Sequence, residues 1–132
     1  MPRIEWEGSF SVNNREIDDQ HKKWIAIINE LHDSMMKGDI SLGMTLNTMK
    51  SMKEYVKYHF EYEEEYMRKI NYPGMAEHIK IHARFYVLIT QYYNDIQSGK
   101  MVLNSEIMSI LMNWLKDHIL NTDKKYVRLI EQ

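Results

Sequence analysis

Four stretches of this chain carry apolar residues three or four apart, and short runs of helix-breaking residues separate each stretch from the next. A chain patterned this way can bury its apolar stripes only by laying helix against helix. The first stripe runs His21, Ile25, Ile28, Leu31, His32 and Met35 and stops near Gly38. Ser41 can start the second, which runs Met49, Met52, Val56, His59, Glu63, Met67 and Ile70. Asn71-Tyr72-Pro73-Gly74 reads as a turn, because proline disfavours helix in the residue before it. The third stripe is Met75, His78, His82, Phe85, Ile89 and Ile96, ending at Ser98-Gly99. Asn104 or Ser105 can cap a fourth helix bearing Ile107, Leu111, Trp114 and His118.

The spacing predicts an all-α fold in one domain over 1–132, an up-down-up-down antiparallel four-helix bundle with helices at 18–37, 41–70, 75–97 and 104–121. Residues 1–17 have no helical period and read as an extended N-terminal arm anchored by Trp6 and Phe10. Asp18 or Asp19 is expected to cap the first helix. Residues 122–132 read as a short C-terminal helical tail with Tyr126, Val127, Leu129 and Ile130.

Composition excludes several classes of function. At 132 residues and 44% apolar, the chain can build one substantial core. Its formal charge is -2 with Lys and Arg scattered, so a nucleic-acid role has little support. No apolar run is long enough for membrane insertion, and Met1-Pro2-Arg3-Ile4-Glu5 lacks the apolar core of a signal peptide. A cytoplasmic location is the default expectation. With no cysteine, disulfides, Fe–S clusters and haem attachment through C-x-x-C-H are excluded.

Five of the six histidines fall into a pattern with one glutamate and one aspartate: His21, His59-x3-Glu63, His78-x3-His82 and His118-x4-Asp123. In the expected topology, the start of helix one, the end of helix two, the start of helix three and the end of helix four lie at one pole. All seven residues therefore converge toward one layer. Imidazole suits iron, zinc and copper, and carboxylates bridge hard cations, so the mixture points to a two-metal site. An isolated His-x3-His would more often be incidental. Five imidazoles and two carboxylates on inward faces would be costly to bury without metal to pair them.

Residues four apart share a helix face, so His59 and Glu63 point together, as do His78 and His82. His118 and Asp123 are five apart and would diverge by roughly 140° on an ideal helix. The backbone is expected to loosen between Ile119 and Asp123, by a π-bulge or by ending the helix. Two octahedral irons offer twelve positions. Five imidazoles, two bridging carboxylates taking two positions each, and an oxo or hydroxo bridge taking two leave one position open, on the iron with fewer imidazoles. A single open position on a reducible metal is a place for a small diatomic ligand.

The segments Ile17-Asp18-Asp19-Gln20-His21-Lys22, His59-Phe60-x2-Glu63, His78-x3-His82 and Trp114-Leu115-x2-His118-Ile119-x3-Asp123 resemble those of the hemerythrins, most closely the stand-alone bacterial members. The resemblance covers nearly the whole chain and lacks no motif ligand. It implies two iron ions (Fe2+/Fe3+) with an oxo or hydroxo bridge that bind O2 reversibly, for storage, transport or delivery. It also implies that His78, His82 and His118 hold one iron, that His21 and His59 hold the other, and that Glu63 and Asp123 bridge. An apolar O2 pocket would comprise Phe60, Trp114, Leu115 and Ile119, with Trp24 or Ile25 completing it.

His32 lies about 16 Å along the helix from His21 and cannot share its metal, so it reads as a boundary histidine. Met35, Met49, Met52, Met67 and Met75 read as adaptable core filler, and Tyr55, Tyr58, Tyr62, Tyr66, Tyr86, Tyr92 and Tyr93 mostly as rim residues. Asp18 and Asp19 are candidate partners for a ligand imidazole. Oxygen binding is the leading function, without catalysis, and an oxidase that consumes the O2 is a possible partner. An enzyme, either a di-iron oxidase or a ferroxidase, competes with it, but the Glu-x-x-His motif of ferritin-like bundles is absent. A module sensing O2, nitric oxide or iron would need a partner for output. A haem bundle would leave three histidines and two carboxylates unexplained.

Overall fold

The structure, a computed structural model, describes residues 3–38 and 41–131. Met1 and Pro2 of the expected arm and Gln132 of the expected tail lie outside the described residues. Four helical arms form the antiparallel bundle: α1 Arg15–Lys37, α2 Leu42–Lys69, α3 Met75–Gln97 and α4 Ser105–Asp117. The fourth arm continues through a π-helical segment, His118–Asp123, into α5, Lys124–Glu131. There is no strand among the described residues. The fourth helix is thus longer than expected, and the tail is its continuation.

Local chemistry sets most of the helix ends. Ser41 and Asn104 cap α2 and α4, accepting from Met44 N and Ile107 N at 3.1 and 2.9 Å. Gly38 closes α1 at φ 67°, a left-handed conformation that glycine adopts without penalty. Gly74 precedes α3, where a Cβ would come within 2.7 Å of the outer Tyr72 ring, which would have to swing aside.

The start of α1 differs from expectation. Asn14, not Asp18 or Asp19, is its cap, accepting from Ile17 N at 3.1 Å. The helix therefore begins four residues ahead of Asp19, at Arg15. Asp18, now in the first turn, reaches back to the arm and accepts from Ser11 Oγ at 2.6 Å and Val12 N at 2.8 Å. The arm includes one 3-10 turn, Gly8–Phe10. Phe10 is buried as expected, but Trp6 is only half-buried, with the Lys22 ammonium 4.9 Å from its ring centre. Ile4 is the second anchor. Its N–H donates to Asn29 Oδ1 at 2.9 Å and its carbonyl accepts from Asn29 Nδ2 at 2.8 Å, so one buried amide does the work of a strand partner.

The apolar interior is divided in two. The larger cluster includes Trp24, Ile28, Leu31, Met52, Val56, Phe85, Ile89 and Leu111. The smaller one gathers Val12, Ile17, Met67, Tyr126 and Val127, with Tyr66, Tyr72 and Met75 at its edge. Four residues of the smaller cluster lie about one turn beyond a motif residue toward the bundle end: Ile17 before His21, Met67 after Glu63, Met75 before His78 and Tyr126 after Asp123. The histidine layer is therefore sandwiched between the main core and an apolar cap, and α5 supplies part of that cap.

Met49, Met52 and Met67 are fully buried core filler, with Met35 and Met75 at its edge. His32 is 4% exposed, so it is buried instead of lying at a boundary, and its Nδ1 sits 3.4 Å from Asp33 Oδ1.

Candidate metal centre

All seven motif residues meet in one layer, and every one is buried. The five imidazoles present Nε2 inward. His82 and His118 approach with 3.1 Å between their Nε2 atoms, and so do His21 and His59. The carboxylates divide their oxygens between two groups. Glu63 Oε1 lies 3.1 Å from His78 Nε2 and 3.0 Å from His82 Nε2, while Oε2 lies 3.9 Å from His59 Nε2 and 4.0 Å from His21 Nε2. Asp123 Oδ1 is 3.0 Å from both His78 and His118, and Oδ2 is 3.3 Å from His21. Two donor sets result: Glu63, His78, His82, His118 and Asp123 in one, and His21, His59 and Glu63 in the other.

The π-helical segment brings His118 and Asp123 together. In that geometry residues five apart stack along the axis, so the spacing that would separate them on an α-helix aligns them here.

Two observations show that the residues fit cations. Both Asp123 oxygens are fully buried and accept no hydrogen bond of good geometry, although three imidazole nitrogens lie within 3.3 Å. Imidazole nitrogens that crowd both Asp123 oxygens without a well-formed hydrogen bond to them are disposed as ligands around a cation would be. Second, partners behind two of the imidazoles set their tautomers. Gln20 Oε1 accepts from His59 Nδ1 at 2.7 Å, and Glu64 Oε2 from His82 Nδ1 at 2.9 Å. Each proton held at Nδ1 leaves a lone pair on Nε2 for a metal. The Nδ1 atoms of His21, His78 and His118 are buried without a hydrogen-bond partner among the described residues.

The electrostatics are those of a site with concentrated negative charge. Burial pulls the His78 imidazolium down, but Asp123 and Glu63 outweigh it and hold the group up at about 9. His82 is also raised, since Glu63 and Glu64 overcome its burial. Burial, reinforced by the neighbouring His21, lowers His59 to about 3. Burial likewise lowers His118. Burial and mutual repulsion would raise the two carboxylates, yet the imidazoles around them keep Glu63 and Asp123 below the usual range.

Of the expected pocket residues, three touch the ligand imidazoles. Phe60 stacks on His82 with ring centres 3.8 Å apart, Trp114 stacks on His118 at 4.4 Å, and Trp24 lies 5.9 Å from His59. Ile25, Leu115 and Ile119 are buried in the same apolar cluster.

Sequence reasoning missed three supporting residues. Gln20 and Glu64 support imidazoles, the role considered for Asp18 and Asp19; Asp18 is engaged with the arm and Asp19 is exposed. Tyr126, read only as a tail residue, is fully buried and donates its hydroxyl to Glu63 Oε2 at 2.9 Å. Burial and the charges of Glu63 and Asp123 keep that phenol well above its ordinary pKa. Its position three residues after Asp123 was the available clue, since residues three apart share a helix face.

Comparison with known proteins agrees with this geometry. The sequence profile of the Hemerythrin HHE cation binding domain matches residues 12–130. A bacteriohemerythrin of Pseudomonas aeruginosa is 30% identical over 127 residues, covering 96% of this chain and 81% of that protein. A hemerythrin-like protein of Naegleria gruberi is 31% identical over 121 residues, covering 92% and 88%. The crystal structure of a wild-type hemerythrin superposes with a TM-score of 0.88 at 26% identity, covering 96% of this chain and 97% of that one. With a profile match over nearly its full length and the motif residues gathered in one buried layer, this chain belongs to the hemerythrin family.

Proposed function

We propose that the chain binds O2 reversibly at a non-haem di-iron centre and does not catalyse a reaction. The observation that carries this reading is the unequal division of donors, three imidazoles toward one ion and two toward the other, with each carboxylate facing both. His78, His82 and His118 would hold one iron, His21 and His59 the second, and Glu63 and Asp123 would bridge. When bound there, iron would supply the reversible two-electron chemistry that O2 binding needs.

The chain's own residues favour reversibility. Gln20 and Glu64 fix the orientation of His59 and His82. Tyr126 holds Glu63 in place. Phe60, Trp114 and Trp24 pack against the imidazoles, with Ile25, Leu115 and Ile119 in the same apolar cluster, and this lining would keep water and protons from a bound ligand. An imidazole-rich shell also favours O2 binding over the high-valent oxidations of carboxylate-rich sites. Among the described residues no helix is long and apolar enough to cross a membrane. The cytoplasm and an O2-consuming oxidase partner belong to this proposal.

The test is an iron assay with a visible spectrum. Two irons per chain, with a colour that appears in air and bleaches under argon over repeated cycles, are expected. An irreversible change, or turnover of added ferrous ion, would overturn the reading in favour of oxidation chemistry.

Loading should also expel protons. In the metal-free chain His78 keeps its proton up to about pH 9, because Asp123 and Glu63 together outweigh its burial. A metal must displace that proton. Affinity for a probe ion such as Co2+ should therefore rise about tenfold per pH unit for each proton displaced, levelling off as His78 becomes neutral. Stability of the metal-free chain follows the opposite course. A raised folded pKa contributes fully below about 6.5, and the contribution is lost as pH rises through about 9. His59, depressed to about 3, contributes fully above 6.5 and is lost as pH falls toward 3. Titration calorimetry across this range checks the first point, and a Co2+ affinity independent of pH would contradict it.

A further inference from the structure

Trp24 carries a polar group that the apolar-wall role leaves unused. Its side chain is 0% exposed, and its Nε1 has no hydrogen-bond partner among the described residues. A buried indole N–H usually finds an acceptor, and one left without costs stability. Phenylalanine would fill much of the same space without that cost. The ring centre lies 5.9 Å from His59, 5.8 Å from Phe60 and Phe85, and 6.0 Å from Trp114. His59 cannot serve as the acceptor. Its Nδ1 donates to Gln20, and its Nε2 is turned toward His21 and the carboxylates. The benzene rings of Phe60 and Phe85 carry no lone pair. Those rings offer at most a weak N–H···π contact, so the indole N–H is left without a lone-pair acceptor in the apolar layer beside His59.

We infer that the Trp24 indole N–H is a hydrogen-bond donor reserved for a small anionic ligand at the two-histidine ion. The inference rests on the di-iron reading above and deepens it by assigning a specificity-determining residue. The site then discriminates by charge and lone pairs. Ligands with an electron-rich terminal atom gain the bond, and a weak acceptor such as nitric oxide does not. Trp24 holds no metal; it acts on what the metal holds.

The experiment compares azide binding to the oxidised iron-loaded protein with nitric oxide binding to the reduced one, in wild type and Trp24→Phe. The variant is expected to bind azide about tenfold more weakly, the size of effect for a hydrogen bond to a charged group, and nitric oxide within about twofold. The infrared azide band of wild type should shift after refolding in D2O, and this shift should vanish in the variant. Equal losses for both ligands would show a packing role only and overturn the inference, as would no change in either. If Trp24→Phe does not fold, the wild-type isotope shift decides, since its absence also overturns the proposal. A wild-type protein that takes up fewer than two irons sinks the underlying reading and this inference with it. A fully loaded variant with unchanged azide affinity sinks the inference alone.

Discussion

Glu63→Gln should reduce the metal content from two ions per chain to one or fewer, while the helical content in circular dichroism stays intact. Among the described residues Glu63 alone belongs to both donor sets, with Oε1 toward His78 and His82 and Oε2 toward His59 and His21. Glutamine keeps the length and one carbonyl oxygen but replaces the other oxygen with an N–H2 that cannot ligate. Whichever way the amide turns, one ion loses its bridge. Tyr126 aggravates the loss, because its hydroxyl donates to Oε2 at 2.9 Å and would steer the amide oxygen toward that side. In the metal-free variant His78 would be left beside one carboxylate instead of two. Removing one member of a buried charge pair costs about 3–5 kcal/mol when the other stays charged. Here the cost is smaller, since the imidazole can release its proton. Elemental analysis after reconstitution is the measurement, and two ions per chain in the variant would refute the bridging role.

Leu115→Ala should both destabilise the protein and speed oxidation of its iron. Leu115 is 0% exposed and lies on the turn before His118, within the cluster that contains Trp24 and Phe60. Truncating a buried leucine removes transfer free energy and leaves a cavity, for about 2–5 kcal/mol. The cavity also adjoins the shielded layer, where admitted water should raise the autoxidation rate by roughly tenfold or more. Leu111→Ala is the control. It is equally buried but one turn further from His118, so it should lose similar stability without the faster oxidation. Denaturant midpoints and the decay of the oxygenated colour separate the two effects. Equal autoxidation rates in the two variants would mean that general loosening, and not pocket wetting, is responsible.

Much of the bundle was legible in the sequence, for identifiable reasons. Ser41, Asn104 and Gly38 act within one turn of themselves, and such local effects do not depend on the rest of the chain. The stripes placed Ile28, Met52, Val56, Ile89 and Leu111 in the interior because a helix has one period and one face to bury. The awkward five-residue gap from His118 to Asp123 foretold an irregular backbone, and the π-helical segment is there. The start of α1 was misread because Asn14 and Asp18 are both good caps by type. Asp18 is instead occupied by Ser11 and Val12 of the arm, contacts that sequence alone does not reveal.

Spacing along the chain determined which seven side chains share inward faces and which helix ends share a pole, because helical period and short turns leave little freedom. The tertiary structure alone decided what stands behind each of them. Gln20 on α1 meets His59 on α2, Glu64 on α2 meets His82 on α3, and Tyr126 on α5 meets Glu63 on α2. These pairings depend on the rotation and depth at which neighbouring helices dock, and that is set by how the whole interior packs, not by any local period. The apolar cap arises the same way. It exists because α5 continues through the π-helical segment and lays Tyr126 and Val127 against Ile17 and Met67, more than fifty residues away along the chain.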